Sequence, residues 1–241
     1  MAELSKNLRE VLAKVGTSTL TGVLNRRGLK SMMLYDVRPV RDDQPPMVGI
    51  AYTMRFIPSR EDKDGPTSTN RSMIQPQAME ECPPGHVLMI DSRGDSRAAS
   101  AGDLYIGRLK ARGAAGVVTD GGFRDSPDIA KYPFPAYHQR PSAPTNLTLH
   151  QAIAINEPIG CGDAPVFPGD VLVGDAEGVI VIPAHLADEI ASEAVEMTVF
   201  EDFVQEQVLA GRSVLGLYPP TDADVAGAFA AWRAPKAAEP C

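Results

Sequence analysis

The chain has 241 residues, 44% hydrophobic and 22% charged, enough apolar material for one domain of ordinary to large size or one domain with terminal extensions. Its net charge is −8, and no Lys/Arg cluster offers the basic face with which nucleic-acid binders meet phosphates; Asn25-Arg26-Arg27 reads as a solvated helix end. No run of about 18 apolar residues supplies a membrane span, and Met-Ala-Glu-Leu-Ser-Lys lacks the basic and apolar regions of a secretory signal, so a cytoplasmic protein is expected, with neither nucleic acid nor membrane as partner.

Residues 3–15 carry Leu4, Leu8, Val11, Leu12 and Val15 at helical spacing. Gly16-Thr17-Ser18-Thr19 then offers capping oxygens to a second helix that runs to about Arg27 and stops at Gly28. A strand is expected over Val48–Phe56. Residues 58–71 are polar and rich in turn formers, and read as a loop or insertion. A short helix follows over Met73–Glu81, then Pro84-Gly85-His86 turns into a buried strand ending at Asp91. Asp103–Arg112 reads as a helix closed by Gly113. Ala114–Thr119 is a strand, Asp120–Asp125 the loop at its carboxyl end, and Ala136–Gln139 a further strand.

Pro168-Gly169-Asp170 echoes the turn at 84–86 and leads into a strand ending at Asp175. Asp175–Gly178 turns the chain, and Val179–Ile182 returns as the second arm of a hairpin. A long helix is expected over Ala184–Leu209, ended by Gly211. Beyond Pro219 come a short helix and an Ala/Pro-rich end. Helices alternating with strands, closed by a hairpin, indicate a mixed α/β layered domain. Gly160-Cys161-Gly162 lacks the third glycine and the strand-before, helix-after setting of a dinucleotide fingerprint, and no phosphate loop is present. Cys82, Cys161 and Cys241 are odd in number and far apart, which argues against a disulfide framework and a thiolate zinc site.

The chemistry concentrates between Ala101 and Asp125. A helix starting at Gly102-Asp103-Leu104-Tyr105 presents free backbone N–H groups and the positive end of its dipole to an anion, and Gly102 permits close approach. Arg124 can fork a carboxylate. Asp125 can hold a hard divalent cation that keeps several waters, which suits Mg²⁺ or Mn²⁺. Each residue also has an ordinary alternative. Asp103 is a good helix N-cap, Asp120-Gly121 a common turn, and Arg124-Asp125 a surface ion pair of small worth.

Gly102-Asp103, twenty intervening residues and Arg124-Asp125 resemble the D-x20-R-D signature of class II pyruvate aldolases, the RraA-like / 4-hydroxy-4-methyl-2-oxoglutarate aldolase family. Gly113-Ala-Ala-Gly116-Val-Val-Thr-Asp120-Gly121-Gly-Phe-Arg124-Asp125 is similar to that family's central block. Thr17-Ser18-Thr19-Leu20 with Leu24–Gly28 resembles its N-terminal helix, and Pro168–Pro183 its C-terminal hairpin. The likeness covers roughly residues 16–183.

It implies an α/β fold, a β/β/α swivelling-type single domain over 1–218 with helical N- and C-terminal extensions, the latter over 219–241. It implies assembly as a homotrimer or homohexamer. It also implies a metal-dependent carbon–carbon lyase acting on a small 2-oxo acid, with Mg²⁺ (or Mn²⁺) as cofactor. Asp125 would bind the metal. Arg124 would stabilise the developing enolate, and Asp103 would orient a water that serves as acid or base. Gly102 with the N–H groups of Leu104 and Tyr105 would hold the pyruvyl carboxylate. Lys110 and Lys131 read as surface charges, since no Schiff base is required.

A second carboxylate from a neighbouring subunit completes some sites of this kind, and Glu201 is the candidate; the alternative is a solvated helix position. His138 is either a substrate or acid/base contact or a partly buried strand histidine. Retro-aldol cleavage and oxaloacetate decarboxylation pass through the same enolate, so the motif allows both. A non-catalytic ribonuclease regulator is the competing reading from a different class. The acid at 125 and the lack of a basic face favour the enzyme.

Overall fold

The computed structural model describes residues 4–63 and 73–236, without the side chains of residues 235 and 236. The chain packs as two compact units, Met1–Ala191 and Ser192–Cys241, so compactness divides it inside the long helix that follows the last strand. Among the described residues no helix is long and apolar enough to cross a membrane.

The first unit opens with α1 (Lys6–Leu12) and α2 (Thr17–Arg26). The helix expected over 3–15 is confined to seven residues and is capped by Ser5, whose Oγ accepts from the Leu8 N–H at 3.1 Å; residue 3 lies outside the described residues. The N-cap of α2 is Gly16, with no side-chain cap of its own. The acceptor comes from far along the chain: Asp175 takes the Thr17 N–H at 2.7 Å and the Thr17 hydroxyl at 2.8 Å, placing a carboxylate at the positive end of the helix.

A long central strand, β2 (Met47–Pro58), organises the main sheet; its first eight residues are buried, as both of its edges are paired. The flanking elements are β1 (Arg38–Pro39), α3 (Ile74–Glu81), β3 (His86–Asp91), β4 (Ala99–Ala101), α4 (Asp103–Ala111), β5 (Gly116–Thr119), β6 (Gly122–Phe123), α5 (Ser126–Ile129), β7 (Ala136–His138) and β8 (Arg140–Pro141). Next come β9 (His150–Ile155), β10 (Ile159–Cys161), β11 (Ala164–Val166), β12 (Val171–Asp175) and β13 (Gly178–Ile182). The main sheet has the order β1-β7-β5-β3-β2-β12-β13, and β9 also pairs β2. Parallel β3 aligns His86 with Ile50, and antiparallel β12 aligns Val171 with the same residue. The two similar Pro-Gly turns thus deliver strands to the same level of β2, but in opposite directions.

The sheet curls until its ends approach. Met33 bridges Ile180 on β13, while Arg38, a few residues on, pairs with His138 on β7 at the other end of the order. Tyr137 on β7 reaches across to β12, where a Cβ added to Gly174 would lie 2.8 Å from the ring Cζ. The result is a nearly closed, barrel-like sheet. Outside it lies a core of Tyr52, Met54, Phe56, Leu88 and Ile90 that α3 and α4 cover with Met79, Ile106 and Leu109. A small parallel sheet, β4-β6-β8, stands apart from the barrel.

Residues 58–71, expected as a loop or insertion, include the end of β2; residues 64–71 lie outside the described residues. In the second unit, the part of α6 (Ala187–Leu209) beyond Ala191 and α7 (Val225–Lys236) carry an aromatic cluster. Phe203, Val204, Leu217 and Val225 are buried there against Phe200, Phe229 and Trp232.

Candidate active site

The small parallel sheet explains why the motif residues meet. Ala99 on β4 pairs with Gly122 on β6, and Ala101 with Phe123. Both strands then end side by side, and the Arg124 N–H donates to the Ala101 carbonyl at 3.0 Å. The chain leaves β4 into α4 at Gly102-Asp103 and returns through β5 to leave β6 at Arg124-Asp125. The intervening twenty residues hold the rest of α4, the strand β5, a turn and the short strand β6.

The turn is pinned from below. Asp120, buried, accepts from the N–H groups of Ser92 at 2.6 Å, Gly94 at 2.9 Å and Gly162 at 3.4 Å. Burial pushes its carboxyl pKa up, against those three bonds. Asp120-Gly121 is therefore an internal anchor as well as a turn. Behind it, the hydroxyls of Ser92, Ser100 and Thr119 form a closed triangle with edges of 2.7, 2.7 and 3.1 Å.

The lining of a cavity of about 510 Å³ includes Gly102, Asp103, Leu104, Tyr105, Arg124 and Asp125. The Arg124 Nε donates to Asp125 Oδ2 at 3.0 Å, and both side chains are partly exposed. Asp125 adopts the left-handed conformation, φ 56° and ψ 29°. A non-glycine residue is uncommon there, Asp less so than most, and a strained backbone of this kind clusters at functional sites.

The N-cap of α4 is Gly102, so Asp103 is the first helical residue rather than the cap. Its Oδ1 accepts from the Leu104 N–H at 2.8 Å. One donor expected to meet a substrate carboxylate is thus engaged by a neighbouring side chain that a ligand would have to displace.

Gly102, Asp103, Leu104, Tyr105, Arg124 and Asp125, all singled out from the sequence, share this cavity. His138 is not among its lining residues. It is 6% exposed on β7 and stacks on Phe123 at 5.5 Å; burial lowers its pKa to about 4. Glu201 sits on α6 in the second unit, where its Oε1 accepts from the Tyr218 hydroxyl at 3.1 Å.

The rest of the lining was not foreseen. Gln75, Ala99, Ala101, Thr145, Asn146 and Leu147 complete it, and no periodicity or motif joins the start of α3 to a 3-10 turn seventy residues away.

Among the described residues no three His, Cys, Asp or Glu side chains converge as a metal cluster. The oxygen donors present, Asp125 and Asp103, nonetheless fit a hard cation held by few protein ligands and several waters. The absent Cβ of Gly102 is what lets the Asp125 carboxylate stand against the start of α4, since a Cβ there would lie 2.9 Å from Asp125 Oδ2.

A family model described as "RraA-like: Aldolase/RraA" matches residues 17–181, well over half of the chain. The chain belongs to this RraA-like family. Among its relatives is a protein of Halalkalibacterium halodurans named "Putative 4-hydroxy-4-methyl-2-oxoglutarate aldolase", 39% identical over 121 residues, covering 49% of this chain and 56% of the relative. The chain therefore spans little more than half the length of that relative.

A protein of the same name from Xanthomonas campestris is 29% identical over 154 residues, 62% of this chain and 92% of its own. Among solved structures, Streptomyces coelicolor RraAS2, described as an unusual member of the RNase ES inhibitor RraA protein family, is 25% identical. It superposes with a TM-score of 0.76 over 85% of this chain and 98% of its own. An uncharacterized Pseudomonas syringae protein shares the fold alone, with a TM-score of 0.79 at 20% identity over 90% of this chain and 95% of its own. The expected RraA-like α/β fold is thus found.

Proposed function

We propose that the chain is a divalent-metal-dependent lyase that cleaves a 4-hydroxy-2-oxo acid to pyruvate and a second carbonyl compound. The observation that carries this reading is the meeting of Arg124 and Asp125 with the open start of α4 at Gly102, in one cavity. The names of the two aldolase-like relatives support it.

Asp125 would hold Mg²⁺ or Mn²⁺, partly through water, with Glu201 from a neighbouring subunit of a trimer or hexamer as a candidate further carboxylate. When bound, the cation supplies Lewis-acid polarisation of the 2-oxo acid. The backbone N–H groups at Leu104 and Tyr105 orient the substrate carboxylate. Asp103, through a water, takes the proton of the 4-hydroxyl as the C3–C4 bond breaks and C4 becomes a carbonyl. The bonding pair moves toward the C2 oxygen, where the Arg124 guanidinium stabilises the developing negative charge. The proton held at Asp103 is then returned to C3, giving pyruvate. Oxaloacetate decarboxylation would place the same charge on the same oxygen and is expected as a companion activity.

The test is pyruvate release from 4-hydroxy-4-methyl-2-oxoglutarate, 4-hydroxy-2-oxohexanoate and oxaloacetate, with Mg²⁺ or with EDTA. Wild type should release pyruvate only with the metal, and Arg124→Ala and Asp125→Ala should abolish release in folded protein. The likeness to RraAS2 carries a second reading, a ribonuclease-binding protein. It would take over if wild type released no pyruvate and bound neither metal nor 2-oxo acid.

A further inference from the structure

The inward face of α3 carries Gln75, Ala78 and Met79 at helical spacing, all three buried. Ala78 and Met79 join the apolar core. Gln75 stands in the same row as a carboxamide, 3% exposed. A polar group so placed destabilises the fold unless it is hydrogen-bonded, and Gln75 is bonded at both ends. Its Nε2 donates to the Ser100 carbonyl at 2.6 Å, and its Oε1 accepts from Asn146 Nδ2 at 2.7 Å.

The two bonds form a relay that runs in one direction only. A backbone carbonyl has no proton to give, so the Gln75 atom facing Ser100 is the amide nitrogen. The Gln75 oxygen then faces Asn146, which must present its own nitrogen. Each carboxamide is thereby held in a single orientation.

The relay joins two of the segments that line the cavity. Ser100 lies between the lining residues Ala99 and Ala101, two residues before Gly102, and Asn146 lies between Thr145 and Leu147. The stretch around Asn146 is tied to β4 on either side as well. The Ala99 N–H donates to the Pro144 carbonyl at 2.8 Å, and His150 Nε2 lies 3.3 Å from the Ala98 carbonyl. Ser100 is held twice: its hydroxyl belongs to the buried triangle with Ser92 and Thr119, and Gln75 holds its carbonyl.

We infer that Gln75 is a positioning residue of the site. Through Ser100 it sets the strand that delivers the start of α4, and through Asn146 it sets the 145–147 segment. The inference rests on the lyase reading for the ligand, a 2-oxo acid whose carboxylate meets the N–H groups of that helix start. Those groups hold the carboxylate before, during and after cleavage. Loss of Gln75 should therefore appear in KM and in pyruvate affinity more than in kcat, whereas loss of Arg124 should appear in kcat.

The test is calorimetric titration of the full chain with pyruvate in Mg²⁺, beside pyruvate-release kinetics from oxaloacetate and thermal melts. Gln75→Met fills similar space without the amide. It should weaken pyruvate binding and raise KM by roughly tenfold, with kcat within about threefold of wild type. Gln75→Glu keeps an acceptor for Asn146, but when ionised it has no proton for the Ser100 carbonyl. Protonated, it can donate there again. Its deficit against wild type should shrink from about pH 8 toward about pH 5, while the Gln75→Met deficit stays constant. Comparison with wild type at each pH removes the titration of Asp103, Arg124 and Asp125, which line the same cavity. Asn146→Ala, at a partly exposed position, replaces Gln75→Met if that variant does not fold, and should weaken pyruvate binding by about threefold or more.

A Gln75→Met protein that melts earlier but keeps wild-type pyruvate affinity and KM overturns the inference, since the residue is then structural only. A Gln75→Glu deficit that acid leaves unchanged overturns the donation to Ser100, and the relay with it. Wild type that binds pyruvate but releases none from any substrate overturns the lyase reading alone, and Gln75 is then judged on binding. Wild type that binds no pyruvate overturns both.

Discussion

Gly102 and Asp125 approach so closely that no β-carbon fits between them. One added to Gly102 would lie 2.9 Å from Asp125 Oδ2, and 2.9 Å from Arg124 Cγ. Gly102→Ala must push the carboxylate, the arginine or both out of place. Misplacement of that size lowers kcat/KM by roughly tenfold to hundredfold, while the overpacking costs stability by about 1 kcal/mol. Thermal melts beside pyruvate-release kinetics separate the two effects. Unchanged kcat/KM would show that catalysis does not need the pair where it now stands.

The left-handed backbone at Asp125 sets stability against function. Asp125→Gly relieves that conformation, whereas Asp125→Ala keeps it at a cost of about 1 kcal/mol. The lost ion pair with Arg124 is partly exposed and contributes about as much or less. Denaturant midpoints should therefore rank the glycine variant at or above wild type and the alanine variant below it. Neither should release pyruvate.

His138 gives the fold a dependence on acid. Its folded pKa is near 4 against an ordinary 6.5, because burial disfavours the cation. The unfolded chain then binds the extra proton first, so this group's contribution is intact above about pH 6.5 and is lost as pH falls toward 4. Asp91 acts in the opposite sense. Burial raises its pKa to about 6, so its contribution is lost as pH rises from 3.8 toward 6. The informative quantity is thus the difference between wild type and His138→Phe at each pH. That difference should favour wild type less at pH 4.5 than at pH 7.5. Since His138 does not line the cavity, the variant should retain pyruvate release.

Asp175 caps a helix more than 150 residues away in sequence, through both the amide and the hydroxyl of Thr17. Asp175→Ala should lower unfolding stability by about 1–2 kcal/mol, the worth of a lost cap and helix-dipole partner. Asp175→Asn should recover part of it. Equal denaturant midpoints for all three proteins would refute the role.

The barrel strands were legible wherever β-branched and apolar runs met turn residues, as in Met47–Pro58, His86–Asp91 and Val171–Ile182. The motif residues of the cavity were legible as well, because Gly102-Asp103 and Arg124-Asp125 are separated by one helix, one strand of readable length and a two-residue strand. The short strands β4, β6 and β8 were not: two or three residues carry too little periodicity to mark a strand. Nor was the Cys161–Ala164 hairpin, whose turn residues Gly162 and Asp163 are both left-handed, although Gly-Asp is a turn dipeptide and could have signalled it. The wall of Gln75 and Asn146 depends on a side-chain bond between distant segments, which local pattern does not encode. The acceptor for the α2 cap was sought among Thr17, Ser18 and Thr19 and came from Asp175, for the same reason.

The pairing of β2 carries a consequence for how the chain is made. One edge of β2 receives β3, but the opposite edge waits for β9 and β12, and α2 waits for Asp175. Contacts of such long sequence separation form slowly, since the loops they close are large. On a ribosome that releases the chain from its N-terminus, the first sixty residues would stand with an open strand edge until some 120 more had emerged. β2 is thus made long before the strands that close its second edge, and during that interval it is a segment in need of a chaperone.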